Sequence, residues 1–265
     1  MNDMSWRDPY ILLQAPEQHR PQNFLVTHSQ SKTVVTNSSL GMVSSRARAK
    51  LIQHLTDIGI KNTTVLAAMQ AVERHLFVDT ALASRAYEDL ALPIGFKQTI
   101  SQPSVVAAML SLACDATVTT GTWLEIGTGC GYQAAVMAQC THQVCSIERI
   151  EGLYLKAKKN LAYSTSVYLC LGDGTMTWHS QNEGTTPVAT QFDAIIVAAA
   201  GIDALPVWLR QLNMGGRLIL PLKRGNNLQL QHLYMIERLG ESDFIQHTLQ
   251  PVQFVPLLSG TVSIK

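Results

Sequence analysis

Three carboxylates and one glycine-rich turn carry the most chemical information in this chain. Glu125 lies in the short apolar run Trp123-Leu124-Glu125-Ile126, two residues before Gly127-Thr128-Gly129-Cys130-Gly131. Glu148 follows the run Gln143 to Ile147, and Asp173 sits in Gly172-Asp173-Gly174 after a third apolar run. A turn of this kind needs glycines because it is tight and because a ligand must reach the backbone where no Cβ intrudes. A dinucleotide fingerprint, G-x-G-x-x-G, would put its last glycine at 132, where Tyr132 stands. The G-x-G-x-G spacing, with an acid two residues upstream, favours a ligand made of methionine and adenosine over a pyrophosphate. Glu148 is placed to accept both ribose hydroxyls and Asp173 to receive the adenine amino group. Three acids ending three successive strands suit S-adenosylmethionine, whereas the glycine turn alone could be structural only.

A second stretch with chemical content is Leu92-Pro93-Ile94-Gly95-Phe96-Lys97-Gln98-Thr99-Ile100-Ser101-Gln102-Pro103. Pro93, Gly95 and Pro103 forbid a helix across it, and its polar residues immediately precede a helical pattern from Ser104 to Leu112. Ser101 therefore has two readings from spacing alone: a residue of a binding loop, or an N-cap for that helix. Cys130, inside the glycine turn, is either a reactive thiol or small filler, and filler is the commoner role of such cysteines. His75, in Arg74-His75-Leu76-Phe77-Val78, has no partner in the sequence and reads as a packed or surface histidine.

The elements that must position these residues follow from hydrophobic periodicity. Ala47, Leu51, Leu55 and Ile58 recur at helix spacing from Ser44, and Gly59 closes that segment. A second helix is expected from Thr63 to Val72, with Leu66, Ala67 and Met69 on one face. After the glycine turn come a helix from Gln133, a strand Gln143–Ile147, a lysine-bearing helix Glu151–Leu161 and a strand Tyr168–Cys170. Residues Thr175 to Gln191 read as a surface helix or loop, and Phe192–Val197 as a buried strand followed by a tight turn from Ala198 to Gly201. The expected remainder is a helix Leu205–Leu212 ended by Gly215-Gly216, and strands at Arg217–Pro221, Leu228–Ile236, Phe244–Leu249 and Phe254–Leu258. Strands separated by helices predict an α/β, doubly wound, mostly parallel sheet with an antiparallel C-terminal end.

Composition narrows the classes. Of 265 residues, 46% are hydrophobic and 15% charged, enough apolar content for a substantial core. A net charge of +1 and the lack of a long Lys/Arg run argue against a nucleic-acid binder. Five cysteines with no C-x-x-C pair point to free thiols in a reducing cytoplasm. The eight histidines lack metal-ligand spacing, so no metal is expected. No stretch has the length needed to span a bilayer, and Tyr10–Leu13 is too short and unsupported to be a leader. Residues 1–41, dominated by Gln, Ser, Thr, Asn, Pro and His, read as a flexible extension, although Trp6–Leu13 could dock on the body or on a partner. Residues 42–265 form the expected domain, divided into a helical cap with a substrate loop (42–112) and a core (113–265). A monomer is expected.

From about Met42 onward the chain resembles the protein-L-isoaspartate O-methyltransferases, a class I S-adenosylmethionine-dependent family. The motifs that carry the likeness are LALPIGFKQTISQP (Leu90–Pro103), LEIGTGCGYQ (Leu124–Gln133), CSIER (Cys145–Arg149), Gly172-Asp173-Gly174, FDAIIVAA (Phe192–Ala199), GGRLILP (Gly215–Pro221) and FVPL (Phe254–Leu257). The glycine motif is general to class I methyltransferases; ALPIG…QTISQP and the closing FVPL are particular to this family. The resemblance implies a Rossmann-like sheet of seven strands with an N-terminal helical cap, and methyl transfer to the free α-carboxylate of isoaspartyl residues in proteins and peptides. It implies Ser101 as the catalytic residue, and Thr99, Ile100, Ser101, Val255, Pro256 and Leu257 against the substrate. The implied cofactor contacts are Gln102, Ser104, Glu125, Gly127, Thr128, Gly129, Gly131, Glu148, Arg149, Asp173, Gly174 and Gln229. The chain departs from the pattern at Ser104, where family members usually carry an aromatic residue or histidine. Two other readings share the glycine motif: another class I methyltransferase acting on RNA or a small molecule, and a cofactor-binding module without catalysis. Against a base N-methyltransferase, Ala198-Ala199-Ala200-Gly201 stands where an Asn/Asp-Pro-Pro-aromatic motif would be.

Overall fold

A computed structural model describes residues 41–114, 121–178, 191–201, 205–224 and 227–263, the side chains of 41–44 and 224–229 excepted. The expected extension, most of the Thr175–Gln191 segment and the side chain of Gln229 therefore lie outside the described residues. Two helices open the described chain, α1 (Gly41–Asp57) and α2 (Thr63–Ala71). The Asn62 side chain caps α2 by accepting from the Val65 amide at 3.1 Å, and this sets the helix phase. Val65, Ala68 and Met69 are thereby buried, and Ala67, expected on that face, is exposed. Short 3₁₀ turns at Arg74–Phe77 and Thr80–Arg85 lead into a β-hairpin, β1 (Leu92–Gly95) and β2 (Gln98–Ile100).

That hairpin replaces the expected open loop. Leu92, Ile94 and Ile100 are buried, so alternation was present in the sequence. Phe96 and Lys97 make its two-residue turn with φ of 53° and 58°. Non-glycine residues rarely adopt this left-handed conformation, which is why no Asn-Gly type signal announced the turn.

The remaining elements are α3 (Pro103–Cys114), β3 (Thr122–Ile126), α4 (Tyr132–Cys140), β4 (Gln143–Glu148), α5 (Glu151–Asn160), β5 (Val167–Leu171), β6 (Phe192–Val197), α6 (Leu205–Arg210), β7 (Leu212–Arg224), β8 (Asn227–Arg238) and β9 (Phe244–Val252). Seven strands form one sheet in the order β5-β4-β3-β6-β7-β8-β9. Pairs from β5 to β7 are parallel, and β7-β8-β9 is an antiparallel meander. The expected doubly wound, mostly parallel sheet with an antiparallel end is thus present.

Both sheet faces are covered, and strand alternation assigns each side chain to a face. Trp123, Val144, Ala194, Ile196 and Ile219 pack with helices α1 to α5 in one core. Leu124, Cys145, Ile195, Val197 and Leu218 pack with α6 and Trp178 in the other. Two boundaries differ from expectation. Helix α6 ends at Arg210, and Gly215-Gly216 lie inside β7 where its pairing with β6 shifts register, instead of ending the helix. Phe254–Leu258 is not a strand; its one pairing is an isolated bridge between Pro256 and Ala200.

Candidate active site

The strand order reverses between β3 and β6, and ligands of open α/β sheets bind at the carboxyl ends of strands beside such a reversal. An open cleft of about 930 Å³, counted out to its mouth, lies there. Its floor is the glycine turn with Glu125 and Glu148. One wall is Ile94 with Thr99, Ile100 and Ser101, and the other is Ala198, Ala199 and Val255 to Leu258.

The turn is held by backbone conformation and by one carboxylate. Gly131 has φ +88°, a conformation that strains any other residue, and a Cβ there would also press on the Leu161 side chain at 2.8 Å. The Gly129 amide donates to Glu148 Oε2 at 2.8 Å, and the Ile150 amide donates to Oε1 at 2.9 Å. Each carboxylate oxygen has a second lone pair, so Glu148 can still accept from a ligand. Burial raises its pKa, against the pull of the Ile150, Gly129 and Arg149 amides. Cys130 is buried, and burial pushes its thiol up, which leaves it as filler.

Glu125 is fully buried and pairs across the sheet with Ser146, whose hydroxyl donates to Oε2 at 2.5 Å; Thr128 Oγ1 lies 2.5 Å from the same hydroxyl. Burial pushes the Glu125 carboxyl to about 8, against the Ser146 hydroxyl and the nearby Gln133 amide. Its Oε1 and the Gln133 Nε2 are buried with no partner in hydrogen-bonding geometry, and both residues line the cleft. The two face each other short of a well-formed hydrogen bond, and a ligand with a polar end, the amino-acid part of S-adenosylmethionine among them, would satisfy both.

The pH dependence follows in sign. Between about 4.5 and about 8 the folded chain binds more protons at Glu125 than the unfolded chain, so this group's contribution to stability is full below about 4.5, declines across that interval and is gone above about 8. A loss of about 2–4 kcal/mol between pH 5 and 9 corresponds to about 5–10 °C in thermal midpoint. Glu125→Gln should flatten that slope in cofactor-free protein, as read by calorimetry at several pH values. Parallel slopes for the two proteins would remove the assignment.

The expected site residues do not all face the cleft. Thr99, Ile100, Ser101, Glu125, Gly127, Thr128, Gly129, Glu148, Arg149, Gly174, Val255, Pro256 and Leu257 line it. Gly131 lies behind it as the N-cap of α4. Asp173 Oδ1 accepts from the amide and hydroxyl of Thr175 (2.9 and 2.7 Å), and Oδ2 accepts from the Gly260 amide at 2.6 Å. Burial opposes ionisation of Asp173, but these hydrogen bonds outweigh it and hold the carboxyl below its ordinary range. Arg149 donates to the carbonyls of Gly260 (2.8 Å) and Ser259 (3.2 Å), so it and Asp173 fasten the C-terminal segment beside the cleft.

The N-cap reading of Ser101 does not hold. The first α3 hydrogen bonds run to the Gln102 carbonyl, and the Ser104 amide is capped from outside by Asp89 Oδ1 at 2.8 Å. Gln102 Nε2 donates to the Asp89 carbonyl at 3.0 Å. Gln102 and Ser104 thus tie the loop down, whereas Ser101 is half-buried and lines the cleft. His75 packs with its Nδ1 2.7 Å from the Tyr87 hydroxyl. Sequence reading passed over Arg74, Asp89, Gln133 and Ser146. The signal for Ser146 was a hydroxyl inside an otherwise apolar strand; Arg74, between Glu73 and His75, carried none.

Comparison with known proteins agrees with the cleft. The family model for protein-L-isoaspartate(D-aspartate) O-methyltransferase matches residues 46–262. A Bordetella avium protein-L-isoaspartate O-methyltransferase is 48% identical over 235 residues, covering 88% of this chain and 84% of that protein. One from Dechloromonas aromatica is 48% identical over 222 residues, covering 84% of this chain and 98% of that protein. Among solved structures, a Plasmodium falciparum protein assigned to the same activity, in complex with S-adenosyl-L-homocysteine, superposes with TM-score 0.66 at 22% identity, covering 80% of this chain and 98% of its own. At that identity the likeness speaks for the fold, and the sequence relatives speak for the family. With a matching family model over most of its length and relatives near half identity, this chain belongs to the protein-L-isoaspartate(D-aspartate) O-methyltransferase family.

Proposed function

We propose that this chain is a protein-repair methyltransferase that methylates the free α-carboxylate of L-isoaspartyl residues in damaged proteins and peptides. The observation that carries the reading is the position of Ser101, on the same cleft as the glycine turn, Glu125 and Glu148. When bound, S-adenosylmethionine supplies an electrophilic methyl group on a sulfonium. Glu148 would hold its ribose, and Glu125 with Gln133 its polar end. Oδ1 of Asp173 is taken by Thr175, which leaves the second lone pair of Oδ2 for the adenine amino group, and Gly174, on the cleft, is the nearer candidate.

The acceptor explains why so little machinery is needed. An isoaspartyl α-carboxylate resembles a chain-terminal carboxylate, with a pKa of roughly 3.5, and is ionised at neutral pH. No general base is required. The chain has to hold one carboxylate oxygen, aim the other and exclude water, which is catalysis by orientation. The Ser101 hydroxyl can donate to one oxygen. Ile100, Val255, Pro256 and Leu257 supply apolar walls around the peptide. The isomer has one extra methylene in its main chain and carries a free carboxylate on Cα. In a normal aspartyl peptide a peptide carbonyl would occupy that place.

Two peptides differing only in Asp versus isoAsp test this. Labelled methyl should pass to the isoaspartyl peptide and not to its twin; equal methylation would rule out the repair reading. Residues 1–41 precede the family match and are proposed to be dispensable, so the chain without them should turn over the same peptide within twofold. The five cysteines are unbridged, and no described helix is long and apolar enough to cross a membrane. The unbridged cysteines suit a reducing cytoplasm, and the proposal is a monomer working there, which gel filtration and cell fractionation check.

A further inference from the structure

Arg74 has no solvent exposure, a place where arginine is rare unless it is paired. Among the described residues no carboxylate lies within ion-pair distance of it. Two of its nitrogens donate to main-chain carbonyls instead, Nε to Ala86 at 2.9 Å, and Nη2 to Leu90 at 3.3 Å and Ser101 at 2.9 Å, while Nη1 is buried without a partner. Leu90 precedes β1 and Ser101 follows β2, so one nitrogen joins the two ends of the hairpin that forms a cleft wall. The guanidinium also covers the Tyr132 ring, 4.8 Å from its centroid. Tyr132 follows the glycine turn directly and lines the cleft.

We propose that Arg74 is a positioning residue for methyl transfer, setting the Ser101 hydroxyl relative to the glycine turn. The proposal rests on the reading of Ser101 given above. Only a planar fork of donors reaches three carbonyls on separate chain segments while its face lies on an aromatic ring. The Ser101 main chain is held from one side by that fork. From the other side Asp89 holds Gln102 and Ser104. The substrate loop and the cofactor turn come from distant parts of the chain, and Arg74 touches the loop and the residue directly after the turn. Catalysis by orientation is sensitive to small displacements between two such parts, while binding to either one is less so.

Arg74→Lys keeps the charge but offers donors from a single point. Turnover of the isoaspartyl peptide should fall at least tenfold, with peptide KM and the Kd for S-adenosylhomocysteine each within twofold of the parent. In a Ser101→Ala background the same change should cost less than twofold, because the hydroxyl to be positioned is gone. A purely structural arginine would cost the same in both backgrounds, and that result overturns the proposal, as does turnover within twofold in the single variant. If Arg74→Lys is recovered unfolded, Arg74→Gln carries the same measurements, and failure of both to fold assigns Arg74 to stability alone. Parental turnover in Ser101→Ala itself would remove the reading of Ser101, and this inference with it.

Discussion

Ser101→Ala should lower turnover of an isoaspartyl peptide about a hundredfold, the scale expected when a reacting group is misplaced by about 1 Å. Cofactor affinity should change little, since the lost bond acts at the reacting centre. The side chain is half-buried on the cleft wall and is not the helix cap, so thermal stability should also stay close to the parent's. Turnover, calorimetric affinity and thermal midpoint on one preparation separate the roles. A loss of stability of about 1 kcal/mol with turnover per folded molecule intact would return Ser101 to a capping role. Its main chain would survive the substitution, because Arg74 binds the carbonyl and not the hydroxyl.

Glu148→Ala should weaken cofactor binding by about a hundredfold. Two ribose hydroxyls donating to a buried carboxylate form charge-assisted bonds of about 1.5–3 kcal/mol each, and even half of their sum approaches that factor. The same change strips the Gly129 and Ile150 amides of their acceptor, so the thermal midpoint should fall as well. Glu148→Gln is the control. Its amide oxygen can still serve one backbone N–H, and its remaining affinity should lie between those of the parent and the alanine variant. Calorimetry with S-adenosylhomocysteine checks the order, and unchanged affinity in Glu148→Ala would sink the assignment of the ribose to this residue.

Much of the fold was legible because it is written locally. Strands Thr122–Ile126, Gln143–Glu148 and Phe192–Val197 are short apolar runs closed by turn residues, and the alternation of strands with helices implies a parallel sheet. The misread elements are those where tertiary pairing overrode a local cue. Gly215-Gly216 resembles a helix stop, but pairing with β6 and β8 draws the strand through it. Phe254–Leu258 has strand composition, yet it crosses the cleft edge with one bridge and serves as a wall.

The chemistry divides in the same way. The glycine turn, the acids that follow the strands and the serine loop are written in the chain, because spacing along a strand–turn–helix unit fixes which groups share one end of the sheet. How each group is used depends on the folded molecule. Both oxygens of Asp173 are engaged by Thr175 and a C-terminal loop far away in sequence, which no local pattern records. Glu125 takes its hydrogen bond from Ser146 on the neighbouring strand, and complete burial, a property of the packed sheet, raises its pKa. The loop that carries Ser101 is held by Arg74 and Asp89, through hydrogen bonds between residues 27 and 15 positions apart that no local pattern records. Local spacing selects candidate groups, but burial and long-range hydrogen bonds exist only in the assembled chain, and they set protonation and aim.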